Sequence, residues 1–252
     1  MITWCNYEWE SVMEGGRKIH PKNPYMWYSE ECVNIDSDGV AHLFIKHDPK
    51  DIVYCDENGC KTYHPTMATG LLRSVVPFDY GTFSASIKCP QGYNLWPSFW
   101  LSGDESWPPE IDIMEAWSKN NRYFRLLKPQ FPYVFLHWNT TSNVHYNNDS
   151  MKHNDISSKG ISVFKQCKNP TDNFIKYECI WEPDRIQIKA NRRVVREVGK
   201  EISNMLTRNI KKDASYVMDV IFNLWHEDPS AYKVKMIGEM QIKDFEYIPY
   251  KK

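Results

Sequence analysis

Three carboxylates lie close together in the segment 96–117, WPSFWLSGDESWPPEIDIMEAW: Glu110, Asp112 and Glu115. Two such groups can break a glycosidic bond. One attacks the anomeric carbon, and the other protonates the leaving oxygen and then activates water; the retaining form needs them about 5–5.5 Å apart. Three like charges in a row cannot all ionise cheaply, so one is expected to keep its proton near neutral pH and serve as general acid. The bland alternatives are an exposed acidic strand face or a cation site. Trp96, Trp100, Trp107 and Trp117 surround the acids. Such flat, amphipathic rings suit a sugar face, although they also suit a β-core.

To act together the acids must share a face. Residues i and i+2 of a strand do so, which points Glu110 and Asp112 one way and Ile111 and Ile113 into a core. Glu115 has the wrong parity, and a lone carboxylate on the apolar face is costly. One extra residue, a β-bulge at Ile113-Met114, returns it to the acidic face. Ala116 then faces inward and Trp117 joins the acids. The outer carboxylates are then about 13 Å apart at Cα, and leaning side chains close most of that gap. On the preceding segment Asn94, Trp96, Ser98 and Trp100 also share a face. Large rings on the wet side of a sheet imply something that stacks on them.

The rest of the chain must supply a sheet around this strand. At 252 residues and net charge −1, it can bury a sizeable core and has no global attraction to nucleic acid or to a membrane surface. No apolar run of about 18 residues predicts a transmembrane helix. The start, MITWCNYEWESV, lacks the basic-then-apolar pattern of a leader. There is no repeat or linker, so one domain over 1–252 is expected. The seven cysteines are scattered rather than paired as CxxC, which argues against zinc. Cys55 and Cys60 flank DENG and can close a small loop under oxidising conditions.

Alternation dominates, the signature of strands. Asp36 to Gly39 reads as a hairpin turn before a strand at Ala41 to Lys46. A calcium loop is disfavoured there because no acid closes a 12-residue frame. Asn58-Gly59 marks a second hairpin. Thr82 to Cys89 alternates. Phe174 to Trp181, Arg185 to Ala190 and Arg193 to Val198 form a meander. In Val217 to Trp225, Met218, Val220, Phe222 and Leu224 make the apolar face, and Asp219, Ile221, Asn223 and Trp225 the other. Met240 and Ile242 are out of phase with Phe245 and Tyr247, which predicts a bulge or bend. One short helix is expected at Glu201 to Lys212. Many strands and little helix describe an all-β sandwich or barrel.

LWPSFWL followed by PEIDIMEAW resembles glycoside hydrolase family 16, the laminarinase, lichenase and agarase group. Thr69 to Ser74 and Phe78 to Phe83 look like the strand pair before its catalytic strand. Asn173-Phe174, Tyr177, Trp181, Pro183, Asp184 and Ile186 resemble its FHxYxxxWxPDxI stretch, and Met240 to Tyr250 its final strand. The resemblance implies a β-jelly-roll sandwich of two antiparallel sheets with a concave substrate cleft. It also implies retaining endo-hydrolysis of β-linked glucans or galactans, in an extracellular or periplasmic setting. Glu110 would be the nucleophile, Asp112 the residue that tunes it and Glu115 the acid/base. The spacing is the bulged one of laminarinases and agarases, not the unbulged one of lichenases. Pro109 stands where a Gly is frequent, and Ile175 replaces the His of FHxY.

Candidates for holding the sugar chain are Trp96, Trp100, Asn223 and Trp225, with His145 aligned to the family's VH strand and His137 a weaker candidate. Arg122 and Arg125, in an enlarged basic and aromatic link from Ser118 to Asn143, would suit an anionic chain such as a sulfated galactan. A β-1,3-glucan or β-1,3/1,4-glucan is the first substrate expected. The alternatives are a marine or sulfated β-galactan, a transglycosylase on the same scaffold, a non-catalytic carbohydrate-binding protein, or a lectin that uses the acids for calcium. The partner expected is the polysaccharide alone, bound by a monomer, with no nucleic acid and no membrane. No cofactor and no catalytic metal are expected. A structural calcium ion occurs in relatives, but no residue here places one.

Overall fold

The computed structural model describes residues 1–20, 23–90, 95–103, 107–117, 139–147, 153–155, 170–207, 218–226 and 236–251. Within them the chain runs β1 (Ile2–Trp4), β2 (Tyr7–Glu10), β3 (Ile19–His20), β4 (Asn23–Tyr28), β5 (Val33–Ile35), β6 (Ala41–His47), β7 (Ile52–Asp56), β8 (Gly59–Tyr63), β9 (Met67–Thr69) and β10 (Leu71–Ser74). It continues as β11 (Gly81–Lys88), β12 (Leu95–Gly103), β13 (Glu110–Trp117), β14 (Asn139–Asn147), β15 (His153–Asp155), β16 (Ile175–Glu182), β17 (Arg185–Ala190) and β18 (Arg193–Gly199). The helix α1 (Lys200–Thr207) is followed by β19 (Met218–His226) and β20 (Met236–Pro249). Among the described residues no helix is long and apolar enough to cross a membrane.

Two large sheets form a jelly-roll sandwich. The first has the order β1-β2-β10-β19-β12-β13-β14-β15 and carries the three acids on β13. The second has the order β18-β17-β16-β11-β20-β6-β9-β4-β3, with β5 also paired to β6. One large core lies between them. Trp9, Phe99, Ile111, Val144 and Phe222 come from the first sheet, and Phe83, Tyr177, Trp181, Ile188 and Ile242 from the second; all are fully or almost fully buried. Phe99 and Phe222 stack at 4.4 Å between ring centroids, joining β12 to β19 in the core.

The predicted phase slip near the C-terminus is present. Ser84 pairs with Glu246 but Ser86 pairs with Lys243, so β20 carries an extra residue between them. Asp244 occupies the left-handed region at φ 56°, where a short polar side chain is tolerated. The slip lets Met240, Ile242 and Phe245 all face the core. Burying Phe245 stabilises the fold by about 1.5–3 kcal/mol, more than the roughly 0.5–1.5 kcal/mol of one ladder hydrogen bond.

The turns follow the sequence. Asp36 Oδ1 accepts from the backbone N–H of Asp38 and Val40, both at 2.9 Å, and Gly39 has φ 76°. This closes the β5–β6 hairpin and gives the DSDG segment a structural role. Asn191 and Arg192 both have positive φ at the β17–β18 turn. Cys55 and Cys60 are opposite each other in the β7–β8 hairpin and form a disulfide. That hairpin packs through Ile52, Tyr54 and Tyr63 on a smaller apolar cluster with Ile19, Trp27 and Ala68.

Three details depart from the sequence reading. The segments read as one strand pair, at Thr69–Ser74 and Phe78–Phe83, enter different sheets: β10 joins the acid-bearing sheet and β11 the other. Alternation reports which face of a strand is buried, not which sheet it joins. The pairing is not wholly antiparallel, since β4 runs parallel to β9. The helix begins at Lys200, and the predicted stretch from 208 to 212 lies outside the described residues.

Candidate active site

The bulge is where the parity argument requires it. On the β12 side, Trp100 is opposite Asp112 while its neighbour Phe99 is opposite Met114, so Ile113 is extra. On the β14 side, Asn143 is opposite Asp112 and Thr141 opposite Glu115, so Ile113 and Met114 together face Ser142 alone. Ile111, Ile113, Met114 and Ala116 are all buried in the core at 0–1% exposure. Glu110, Asp112 and Glu115 instead line a cavity of about 660 Å³ on the outer face of the sheet. Two consecutive core-facing residues are the price of keeping the third acid out of the apolar layer.

Each acid has named partners. Trp107 Nε1 donates to Glu110 Oε2 at 3.0 Å, and Trp96 Nε1 donates to Glu115 Oε1 at 2.9 Å. His145 Nε2 lies 3.3 Å from Glu110 Oε1 and 3.2 Å from Asp112 Oδ2. Asn143 Nδ2 is 3.1 Å from the same ring nitrogen, and the rings of Trp107 and His145 are tilted against each other at 5.6 Å. Trp100 Nε1 donates to Asn223 Oδ1 at 2.7 Å across the β12–β19 pair. Trp96, Trp100 and Asn223 are thus cavity residues whose polar edges are held by neighbours.

Burial dominates the protonation of the acids. It pushes Glu110 up to about 8, with the Asp112 charge adding to the rise and His145 and the Trp107 N–H opposing it. Burial and Asp112 likewise push Glu115 up to about 8, opposed by the Trp96 N–H and His145. Asp112 is 4% exposed, and burial raises it to about 7 while Arg196 pulls it back. Arg196 belongs to β18 in the opposite sheet, and its Nε donates to Ser142 Oγ at 3.0 Å beside the bulge. Near neutral pH the cluster therefore carries fewer than three negative charges and titrates as a unit.

Several residues of the site were not singled out by sequence. In the sequence Trp107 is only one of the rings near the acids, and the one signal of Arg196 is a cation in phase with the inward Val198. Arg73 on β10 lines the cavity and forms ion pairs with Glu10, at 2.7 Å, and with Asp219. Asp219 was placed correctly on the cleft face of β19, but without a partner. The cavity also reaches N-terminal residues, among them Arg17, His20 and Tyr28, which carried no readable pattern. Of the predicted contacts, Arg122, Arg125, His137 and Asn94 lie outside the described residues. The side chains of Trp117 and Trp225 do too, although the backbone of Trp225 pairs with Trp96.

One atom each from Glu110, Asp112 and His145 lie within 4.8 Å of one another, a spacing that a cation can bridge. Within that group His145 Nε2 contacts both carboxylates directly.

The sequence model of glycosyl hydrolases family 16 matches residues 28–243. The chain belongs to this family. Among curated relatives, an endo-1,3-1,4-β-glycanase of Rhizobium meliloti, ExsH, is 40% identical over 112 residues, covering 36% of this chain and 24% of that protein. The chain spans about a quarter or less of the length of the curated relatives it matches. Among solved structures, LamAcat from Zobellia galactanivorans superposes with a TM-score of 0.65 at 15% identity, covering 97% of this chain and 90% of that one. The κ-carrageenase from Pseudoalteromonas carrageenovora, in complex with an oligotetrasaccharide of κ-carrageenan, gives 0.62 at 13% identity, covering 96% and 89%. At such identities the structural likeness is one of fold.

Proposed function

We propose that this family 16 domain is an endo-acting, retaining hydrolase of a β-linked polysaccharide, with β-1,3-glucan or β-1,3/1,4-glucan as the first substrate. The observation that carries the reading is the bulge at Ile113-Met114. It sets Glu115 on the face of Glu110 and Asp112, inside a cavity walled by Trp96, Trp100 and Trp107. A strand that only displayed acids would have no need to break its ladder for the third. The glycanase names of the Rhizobium relatives favour this reading. So does a Zobellia LamA structure in complex with laminaritriose and laminaritetraose, which has the same fold.

In the proposed reaction the sugar chain lies along the cavity with Trp96 and Trp100 against its rings. Glu110 attacks the anomeric carbon and displaces the leaving sugar oxygen. Glu115, held protonated by burial and by Asp112, donates its proton to that oxygen as the bond breaks. A water then enters. Glu115, now ionised, takes its proton, and the hydroxide released adds to the anomeric carbon and frees Glu110. Two inversions retain the configuration. His145 spans Glu110 and Asp112 and favours the anion that must form on the nucleophile. Asp112 raises the proton affinity of both glutamates and passes its influence between them as each changes charge.

The test is a polysaccharide panel read by new reducing ends and by product length. Glu110→Gln and Glu115→Gln should each lower turnover by at least roughly 10²–10⁴-fold, with polysaccharide binding kept. Turnover close to that of the parent in either variant would sink the assignment. Products longer than the substrate would convert the reading to transglycosylation, which uses the same intermediate with a sugar in place of water.

A further inference from the structure

The cavity extends beyond the carboxylates to a wall built by the N-terminal residues before 28, outside the span matched by the family model. That wall is the turn from Met13 to Arg17. Met13 N–H donates to Arg17 O at 2.8 Å, and the N–H groups of Arg17 and Gly16 donate back to Met13 O at 3.2 and 3.1 Å. Gly15 and Gly16 have φ of 68° and 76°, a region that glycine enters without strain and that lets the turn close so tightly. Two residues on, Ile19 is fully buried among Trp27, Ile52 and Ala68 and anchors the turn to the second sheet. Arg17 therefore projects from a braced support.

Its surroundings are unusual for an arginine. The other arginine among the described residues of the cavity, Arg73, is neutralised by Glu10 and Asp219. Arg17 makes no ion pair among the described residues, although Glu14 lies on the same turn. Its Nε is shut off from solvent and has no hydrogen-bond acceptor. Its charge acts on the Tyr28 hydroxyl, opposing the rise that burial causes there, which sets the guanidinium near that cavity residue. Arg17 also lines a neighbouring cavity of about 640 Å³ that continues along Asp51 to Cys55, at the disulfide hairpin. A chain occupying the site and running toward that hairpin passes Arg17. Arg17 is half-buried and lines both cavities, so a chain meets the accessible part of its side chain rather than the occluded Nε. A planar guanidinium matches the paired oxygens of a sulfate or carboxylate.

We propose that Arg17 is a specificity-determining residue that receives an anionic substituent of the polysaccharide, a sulfate ester or a carboxylate, at a position removed from the bond being cleaved. This rests on the hydrolase reading above and revises its substrate from the neutral glucan to a β-linked chain that carries negative charge. Binding and turnover are separable, so the two readings can fail independently.

The experiment uses one backbone in three forms: β-1,3-glucan unmodified, sulfated and carboxymethylated. Agarose and κ-carrageenan serve as a second neutral and sulfated pair. Retardation in gels containing each polymer measures binding, and reducing-end kinetics measure kcat and KM. The expected result is a preference of the parent for at least one anionic form. Arg17→Met should reduce the anionic-to-neutral ratio of kcat/KM by about tenfold, a loss of about 1.4 kcal/mol, mainly through KM. Arg17→Lys should recover part of it. Lys176→Met, an exposed cation on β16 of the other sheet, should leave the ratio alone and controls for net charge. The sulfated and carboxymethylated arms say which anion is taken. The proposal is overturned if the parent shows no anionic preference, or if Arg17→Met lowers neutral and anionic chains by the same factor. Retardation that responds to Arg17→Met without any cleavage would remove the hydrolase reading and keep the Arg17 site. Cleavage of the neutral glucan with a ratio unmoved by Arg17→Met would do the reverse.

Discussion

Glu115→Gln should make the protein inactive and more stable, and the gain should depend on pH in a defined way. Glu115 is raised from 4.5 to about 8 in the folded chain. The folded state therefore binds a proton that the unfolded state has already released over that window. For a carboxyl raised by folding, the full stability is present below about pH 4.5 and is lost as pH climbs toward 8. Each pH unit in the window costs about 1.4 kcal/mol, an upper bound of about 3–4 kcal/mol at pH 7. Because Glu115 shares protons and charge with Asp112 and Glu110, the relief from neutralising one member is smaller, about 1–3 kcal/mol. Glutamine keeps the shape, stays neutral at every pH and still accepts from Trp96. For a domain of this size the gain is about 3–10 °C in the unfolding midpoint. Thermal unfolding followed by circular dichroism at pH 4, 6 and 8 checks it. The variant should match the parent at pH 4 and exceed it increasingly at 6 and 8. A constant difference across pH, or a variant that is less stable at pH 8, would refute the claim that burial of an ionisable Glu115 strains the site.

Other outcomes follow from the same geometry. Trp96→Phe removes the N–H that favours the Glu115 anion, so the alkaline limb of the kcat profile should move up by about one pH unit; an unmoved limb contradicts the role of Glu115 as general acid. Deleting Met114 leaves E-x-D-x-E in regular alternation, so all three acids stay on the cleft face. The variant should lose about 2–4 kcal/mol from the missing buried side chain yet keep measurable cleavage, whereas a folded but wholly inactive variant would show that the bulge does more than restore phase. Treatment with a chelator should leave cleavage unchanged. Loss of activity that returns with calcium would instead make Glu110, Asp112 and His145 a cation site.

The features legible in the sequence are those fixed by parity. A charged side chain five positions from its partner cannot face a core without a slip, so the bulge at Ile113-Met114 could be located. The same reasoning predicts a slip between Ile242 and Phe245, which the structure places at Asp244. The cleft face of β19 was read from Met218 and Phe222 facing the other way. Parity is silent on which strands meet, however. It could not tell that β10 and β11 join opposite sheets, or that Asp219 meets Arg73 across nearly 150 residues of chain. Arg196 reaches the back of the bulge from the other sheet, a contact no local pattern encodes. The N-terminal wall with Arg17 rests on a glycine turn and a parallel strand pair, neither of which alternates.

The place of β19 in the first sheet sets when the active site can come into being. It lies between β10 and β12, yet it leaves the ribosome long after both of them. Until residue 226 has emerged, β10 and β12 each present a bare edge, and the acids on β13 belong to an incomplete sheet. Trp100 lacks Asn223, Arg73 lacks Asp219 and Phe99 lacks Phe222. Such exposed edges pair readily with other chains, and closing a contact over so long a loop is slow. Folding of this domain should accordingly be late and all-or-none during synthesis. A ribosome stalled just before β19 should hold a chain that is sensitive to protease and prone to aggregate, and that has none of the hydrolysis attributed to its acids.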